Sequence, residues 1–162
     1  MENENLPPPR PPNRIDLVRL CRELNIRGAR YVIIGGMAIN QLGLVRATED
    51  IDLLIESSRE NQALVRLALE ILPDKAVRDV LPDDLDNYVV VRVADEIVVD
   101  LMLKACGIPY EEAVPEIVFR TIDDTPIPFA SARLMLRLKQ TYREKDGLDR
   151  QFLEGLLRKE EL

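Results

Sequence analysis

Aspartates are rare inside apolar strands, yet this chain has them there in two places. Residues 31–56 read YVIIGGMAINQLGLVRATEDIDLLIE. An apolar run, Tyr31–Ile34, ends in Gly35-Gly36, a helix-like segment follows, and a second apolar run opens with Asp50 and Asp52. Strand side chains alternate between faces, so Asp50 and Asp52 point the same way and repel each other unless something neutralises them. Asp100 repeats the situation, with Val98-Val99 before it and Leu101-Met102-Leu103 after it. Burying such a carboxylate is costly unless it is paired or metal-bound.

Set on neighbouring strands, the three aspartates would make a hard, oxygen-only cluster. Mg²⁺ prefers such ligands, with substrate phosphates completing its shell. Two such ions can stabilise both the attacking and the leaving oxygen of an in-line displacement. Gly35-Gly36 supplies a complementary part. Glycines let a backbone approach phosphate closely, and the helix that follows offers N–H groups and the positive end of its dipole. A Gly-Gly pair after a strand is commonly just a tight turn. The fourteen positions from Gly36 to Asp50 leave room for one helix and a return, and that spacing makes the combination more specific than either part.

The remaining pattern predicts a mixed sheet with helices packed on it. Asn13 caps a helix over residues 15–26, with Asp16 as its box partner. Ser57-Ser58-Arg59-Glu60 reads as a capping box opening a helix to about residue 72, which Pro73 ends. Residues 82–86 form an acidic loop. Residues 88–93 and 97–103 are β-rich and joined by a hairpin at Ala94-Asp95-Glu96. Short strands at 117–122 and 127–129 flank a turn over residues 123–126. Ser131 caps a helix reaching about Tyr142, and a last helix covers residues 146–158. The fold class is α+β: a mixed β-sheet flanked by helices, with a small C-terminal helical segment.

Composition narrows the chemistry. Histidine is absent, which excludes Ser-His-Asp and Cys-His catalysis and His-ligated zinc. Cys21 and Cys106 are too few and too far apart for a disulfide framework or a zinc site, and read as small apolar residues. With a formal net charge of −7, the chain lacks the broad basic footprint of a general nucleic-acid binder. No apolar run approaches the roughly 20 residues needed to span a bilayer. The first residues lack the apolar core of a secretory signal, so a cytoplasmic location is expected. Residues 1–12 hold five of the eleven prolines and are expected to be a disordered or polyproline tail outside a single domain at 13–162.

The motifs together resemble the nucleotidyltransferase superfamily of the DNA polymerase beta type. They are the Gly-Gly turn, then Arg46, Thr48, Asp50, Ile51 and Asp52, then an apolar strand carrying Asp100. The minimal bacterial branch is the most similar, including abortive-infection toxins of type IV toxin–antitoxin systems. The run from Lys139 through Arg143, Lys145 and Asp146 to Asp149 is similar to that branch's helical motif. The resemblance covers about residues 15–157.

It implies that Asp50 and Asp52 hold the metals that bind a nucleoside triphosphate. Asp100 would ligate the second metal or act as general base on an acceptor hydroxyl. Gly35 and Gly36 would cradle phosphate, and Lys139 would reach phosphate or base. Mg²⁺ in a two-metal site is the implied cofactor, with Mn²⁺ as a substitute. The acceptor could be RNA such as tRNA, a protein or a small molecule, and a cognate antitoxin is an implied partner of a toxin. One departure is clear: the superfamily usually has Gly-Ser in the turn, and Gly36 leaves only backbone donors.

Other residues have two readings each. Arg46 and Thr48 either reach nucleotide, or serve as a counter-charge and a strand start. Lys145 and Asp149 read as a solvated helix face with local charge pairs, whereas Lys139, on an otherwise apolar helix, reads as functional. The whole chain likewise has two readings. One is a Mg²⁺-dependent nucleotidyltransferase that moves a nucleoside monophosphate to a hydroxyl with release of pyrophosphate. The other is a catalytically inactive nucleotide- or partner-binding module on the same fold.

Overall fold

The computed structural model describes residues 6–139 and 144–160, with residues 144–146 as backbone only. Helix α1 (Arg14–Ile26) leads into β1 (Tyr31–Ile34), α2 (Gly35–Leu42), β2 (Asp50–Ile55) and α3 (Arg59–Leu69). A short turn of helix, α4 (Asp84–Asn87), precedes the hairpin β3 (Val91–Ala94) and β4 (Val98–Met102). A small ribbon, β5 (Lys104–Ala105) and β6 (Ile108–Pro109), and the helical turn α5 (Tyr110–Ala113) follow. The hairpin β7 (Ile117–Ile122) and β8 (Thr125–Ala130) then leads to α6 (Ala132–Leu138) and α7 (Glu144–Glu160). The main sheet has six strands in the order β3-β4-β2-β1-β8-β7. It is mixed: β2 and β4 are parallel, as are β1 and β8, and the other pairs are antiparallel. The expected α+β class, a mixed sheet flanked by helices, is the one observed.

Register follows from burying one face of each strand. In β2, Ile51, Leu53 and Ile55 are fully buried, while Asp50 and Asp52 lie on the opposite side. In β3, Val91 and Val93 are buried and Arg92 is exposed. α2 packs on β1, β2 and α6, and α6 packs on α7, whereas α1 packs on α3 and β8. Asn61 joins α3 to the sheet. It is 1% exposed; its Oδ1 accepts from the Arg30 N–H at 2.7 Å, and its Nδ2 donates to the Arg30 and Glu56 carbonyls, each at 2.9 Å. Removing it strands buried backbone polar groups. Asn61→Ala is expected to cost about 2–3 kcal/mol in denaturant unfolding, and a loss below about 0.5 kcal/mol would contradict this account.

Several boundaries differ from the sequence expectation. The cap of α3 is Ser58, whose Oγ accepts from the Asn61 N–H, rather than a box between Ser57 and Glu60. Residues 84–87 are helical, where a loop was expected. The first strand of the middle hairpin begins only at Val91, leaving Tyr88, Val89 and Val90 exposed. Asp123 and Asp124 both take positive φ, so two residues complete the last hairpin turn and Thr125 and Pro126 join the strand. The extension of the Ser131-capped helix to Tyr142 lies outside the described residues beyond Lys139.

The proline-rich segment is tethered rather than excluded. The Arg10 N–H donates to the Glu96 carbonyl, its guanidinium grips both oxygens of Asp16 at 2.7 Å, and Pro12 is buried. Residues 1–5 of the expected tail lie outside the described residues.

Candidate active site

The end of β1 determines what surrounds Asp52. β1 runs straight into α2 at Gly35, which takes φ +71° and so redirects the chain. The chain returns through residues 43–49 and comes back as β2, antiparallel to β1, with Ile34 opposite Asp52. β4 lies on the other side of β2, in parallel, with Asp100 opposite Asp52. β3 continues the row, with Arg92 opposite Asp100. One line across four strands therefore reads Ile34, Asp52, Asp100, Arg92.

The three aspartates converge. One carboxylate oxygen from each of Asp50, Asp52 and Asp100 lies within 4.8 Å of the other two. Asp100 is 5% exposed. Burial pushes the Asp52 carboxyl up to about 7, reinforced by the Asp50 and Asp100 charges and opposed by Lys139. Asp95, also buried, is a useful contrast. Its oxygens accept from the N–H groups of Asp74, Ala76 and Glu96, so its burial has a structural explanation. Asp52 forms no ion pair among the described residues; what surrounds it is mainly other acid. Three clustered carboxylates on rigid strands, one of them destabilised in its charged form, fit a hard divalent cation such as Mg²⁺.

The glycine turn borders this cluster. Gly35, Gly36, Arg46, Thr48, Glu49, Asp50, Asp52 and Lys139 line a polar hollow of about 60 Å³. Asp50, Asp52, Asp100, Gly35 and Lys139 also line an adjoining cleft of about 700 Å³ walled by Val89, Val90, Met102, Met135 and Leu138. All eight residues singled out from the sequence thus lie in one region. Ile34 precedes α2 and gives its first-turn N–H groups no side-chain cap. Gly36 packs under Thr48: a Cβ there would lie 2.3 Å from Thr48 Cγ2. The Thr48 methyl therefore fills the space that a serine side chain at position 36 would need. A larger cavity of about 540 Å³ shares Arg46 and Thr48 with the hollow, but its lining has no carboxylate.

One residue escaped the sequence reading, and a second sits elsewhere than expected. Arg92 Nε donates to Asp100 Oδ1 and its Nη2 to Asp100 Oδ2, both at 3.0 Å, and Nη2 also reaches Asp50 Oδ2 at 3.2 Å. The hydrogen bond with Asp100 raises the guanidinium's proton affinity further above its usual value. Asp149, expected on a solvated helix face, is 1% exposed on α7. It accepts from Arg46 Nε at 3.2 Å and Nη2 at 3.0 Å, and pairs with Lys139 Nζ at 3.2 Å. Arg46 and Lys139 are thereby held at the hollow's rim by one buried carboxylate from the last helix. Arg143 and the side chains of Lys145 and Asp146 lie outside the described residues.

No family model and no curated protein matches the chain. Among solved structures, it is similar to a "putative nucleotidyltransferase" from Thermotoga maritima, with 18% identity, a TM-score of 0.48, and coverage of 93% of this chain and 95% of that one. The chemistry of the site stands on this chain's own residues. Among the described residues, no helix is long and apolar enough to cross a membrane.

Proposed function

We propose that the chain is a nucleotidyltransferase that uses Mg²⁺ and moves a nucleoside monophosphate from a triphosphate onto a hydroxyl. The observation that carries this reading is the convergence of the Asp50, Asp52 and Asp100 oxygens within 4.8 Å, beside the uncapped start of α2. In the reaction the acceptor oxygen bonds to the α-phosphorus, the bond from that phosphorus to the bridging oxygen breaks, and pyrophosphate leaves. The hydroxyl proton passes to a carboxylate, for which Asp100 is the candidate. Asp50, Asp52 and Asp100 would hold Mg²⁺, in a two-ion arrangement, or Mn²⁺ in its place. Bound there, the cation would neutralise the clustered acids and polarise the phosphoryl oxygens.

The chain's own groups do the rest. The N–H groups at Gly35 and Gly36 receive phosphate oxygens without a side chain in the way. Lys139 and Arg46, braced by Asp149, supply positive charge at the phosphate end. Fixed charges and dipoles of this kind stabilise the transferring group most when they are positioned in advance. RNA, a protein or a small molecule all present a suitable hydroxyl. A toxin role with a cognate antitoxin is one form of the same activity, and growth arrest by the wild type but not by an Asp50→Asn variant would support it.

One observation favours a non-catalytic nucleotide-binding module instead: Arg92 already engages Asp100 and Asp50. Calorimetry with Mg-ATP and the other triphosphates, followed by a pyrophosphate-release assay with candidate acceptors, separates the two. The transferase reading expects binding and metal-dependent release, both abolished by a chelator. Binding without release across acceptor classes would support the module.

A further inference from the structure

An exposed arginine on an edge strand ordinarily does little beyond blunting that edge against pairing. Arg92 is 60% exposed and sits on the edge strand β3, but its head turns inward onto the acids. The register makes this unavoidable. With Val91 and Val93 buried on one face, Arg92 must emerge on the other, directly across from Asp100. Its fork then meets both Asp100 oxygens and reaches Asp50. Arg92 lines the same cleft as the three acids.

A carboxylate whose two oxygens both accept from one guanidinium ligates a cation more weakly, because the guanidinium already neutralises its charge and takes up part of its lone pairs. The planar fork matches phosphate as well as it matches carboxylate. Resting on the reading above that the aspartates hold a divalent cation, we propose that Arg92 is an exchangeable counter-ion. It occupies Asp100 and Asp50 when no cation is bound, and it is handed over to the phosphates of the nucleotide when the cation arrives with them. The bare cation is thereby disfavoured and the metal–nucleotide pair is selected. Arg92 is a substrate-binding residue in this scheme. Its long side chain is tethered beside the cleft and can release Asp100 without moving β3.

The test measures Mn²⁺ binding by calorimetry, alone and with a non-hydrolysable triphosphate analogue, in wild type, Arg92→Gln and Arg92→Lys. Arg92→Gln is expected to bind Mn²⁺ alone about tenfold more tightly, because its competitor is gone, and the Mn²⁺–analogue pair about tenfold more weakly. Arg92→Lys keeps the charge but loses the fork, and should fall between the two in both assays. A residue that merely holds the hairpin in place would not move the two affinities in opposite directions. Unchanged or weaker Mn²⁺ binding by Arg92→Gln would overturn the competition. Tighter Mn²⁺ binding with no loss for the analogue would overturn the hand-over. Should Arg92→Gln fail to fold by circular dichroism, the same decision falls to Arg92→Lys. If no variant binds Mn²⁺ with or without analogue, the reading of the aspartates fails first, and that result is distinguishable from the other two.

Discussion

Asp52→Asn is expected to abolish transfer and, in chelator-treated protein at pH 8, to make the fold more stable. The two effects have one origin. Asp52 is buried beside Asp50 and Asp100, and its carboxyl is pushed up to about 7 from the ordinary aspartate value of 3.8. Between those pH values the folded chain holds a proton that the unfolded chain has lost. Stability therefore falls as pH rises through that window, and the penalty is fully developed above about 7. The size is on the order of 2–4 kcal/mol. Asparagine keeps the shape and carries no charge to bury. Its advantage over wild type should be small near pH 4, grow towards pH 7 and then level off, in denaturant titrations at each pH. A cation would relieve the same penalty in wild type, so Mg²⁺ or Mn²⁺ should raise the wild-type midpoint and leave that of Asp52→Asn nearly unmoved. Transfer should drop on the order of 10³-fold or more, because an anchor for charge in the transition state is lost. A stability difference that stays flat with pH would show that the carboxyl is not held protonated. Undiminished transfer would remove Asp52 from the site.

How far the sequence could be read depended on distance along the chain. β1, the glycine turn, α2 and β2 are consecutive, and their signals are local: an apolar run cut by glycines, then aspartates at i and i+2. Asp52 beside the turn follows from that stretch alone. Asp100 could be placed on a strand from its apolar neighbours, but its register against Asp52 joins distant segments. Arg92 turned on the centre of the hairpin. The turn expected at residues 94–96 would set Val90 across from Asp100, whereas the observed turn is centred on Glu96, pairs Ala94 with Val98 and sets Arg92 across from Asp100. Reading residues 88–93 as a single β run hides the alternation that turns Arg92 inward. Asp149 had only the resemblance to point to it, since its partners Arg46 and Lys139 come from other elements. The anchoring of the proline-rich segment lay beyond the sequence for the same reason. Composition describes its stiffness, while its anchoring depends on Asp16 and Glu96 meeting Arg10 in space.

Gly35→Ala is expected to damage fold and site together, and Gly36→Ala only in a way that a second change can repair. Gly35 has φ +71°, a conformation that costs an L-residue about 1–2 kcal/mol. An added Cβ would also lie 2.0 Å from Asp52 Oδ2 and 2.9 Å from its Cγ, so the carboxylate must be displaced. Strain and displacement together should cost about 2–4 kcal/mol in unfolding measurements. Transfer should fall by orders of magnitude, because the methyl intrudes between the turn and the acid that the site needs in place. At Gly36 no positive φ is involved, and the obstacle is the Thr48 Cγ2 methyl at 2.3 Å. Gly36→Ala alone should destabilise, and adding Thr48→Ser, which deletes that methyl, should recover a large part of the loss. The coupling between the two changes, read from a double-mutant cycle, should be about 1 kcal/mol or more. No comparable rescue exists at position 35, where the backbone conformation itself excludes a side chain. Near-wild-type stability and transfer in Gly35→Ala would mean that the turn can open away from β2, and the close apposition of the glycine turn and Asp52 would not be what the reaction requires.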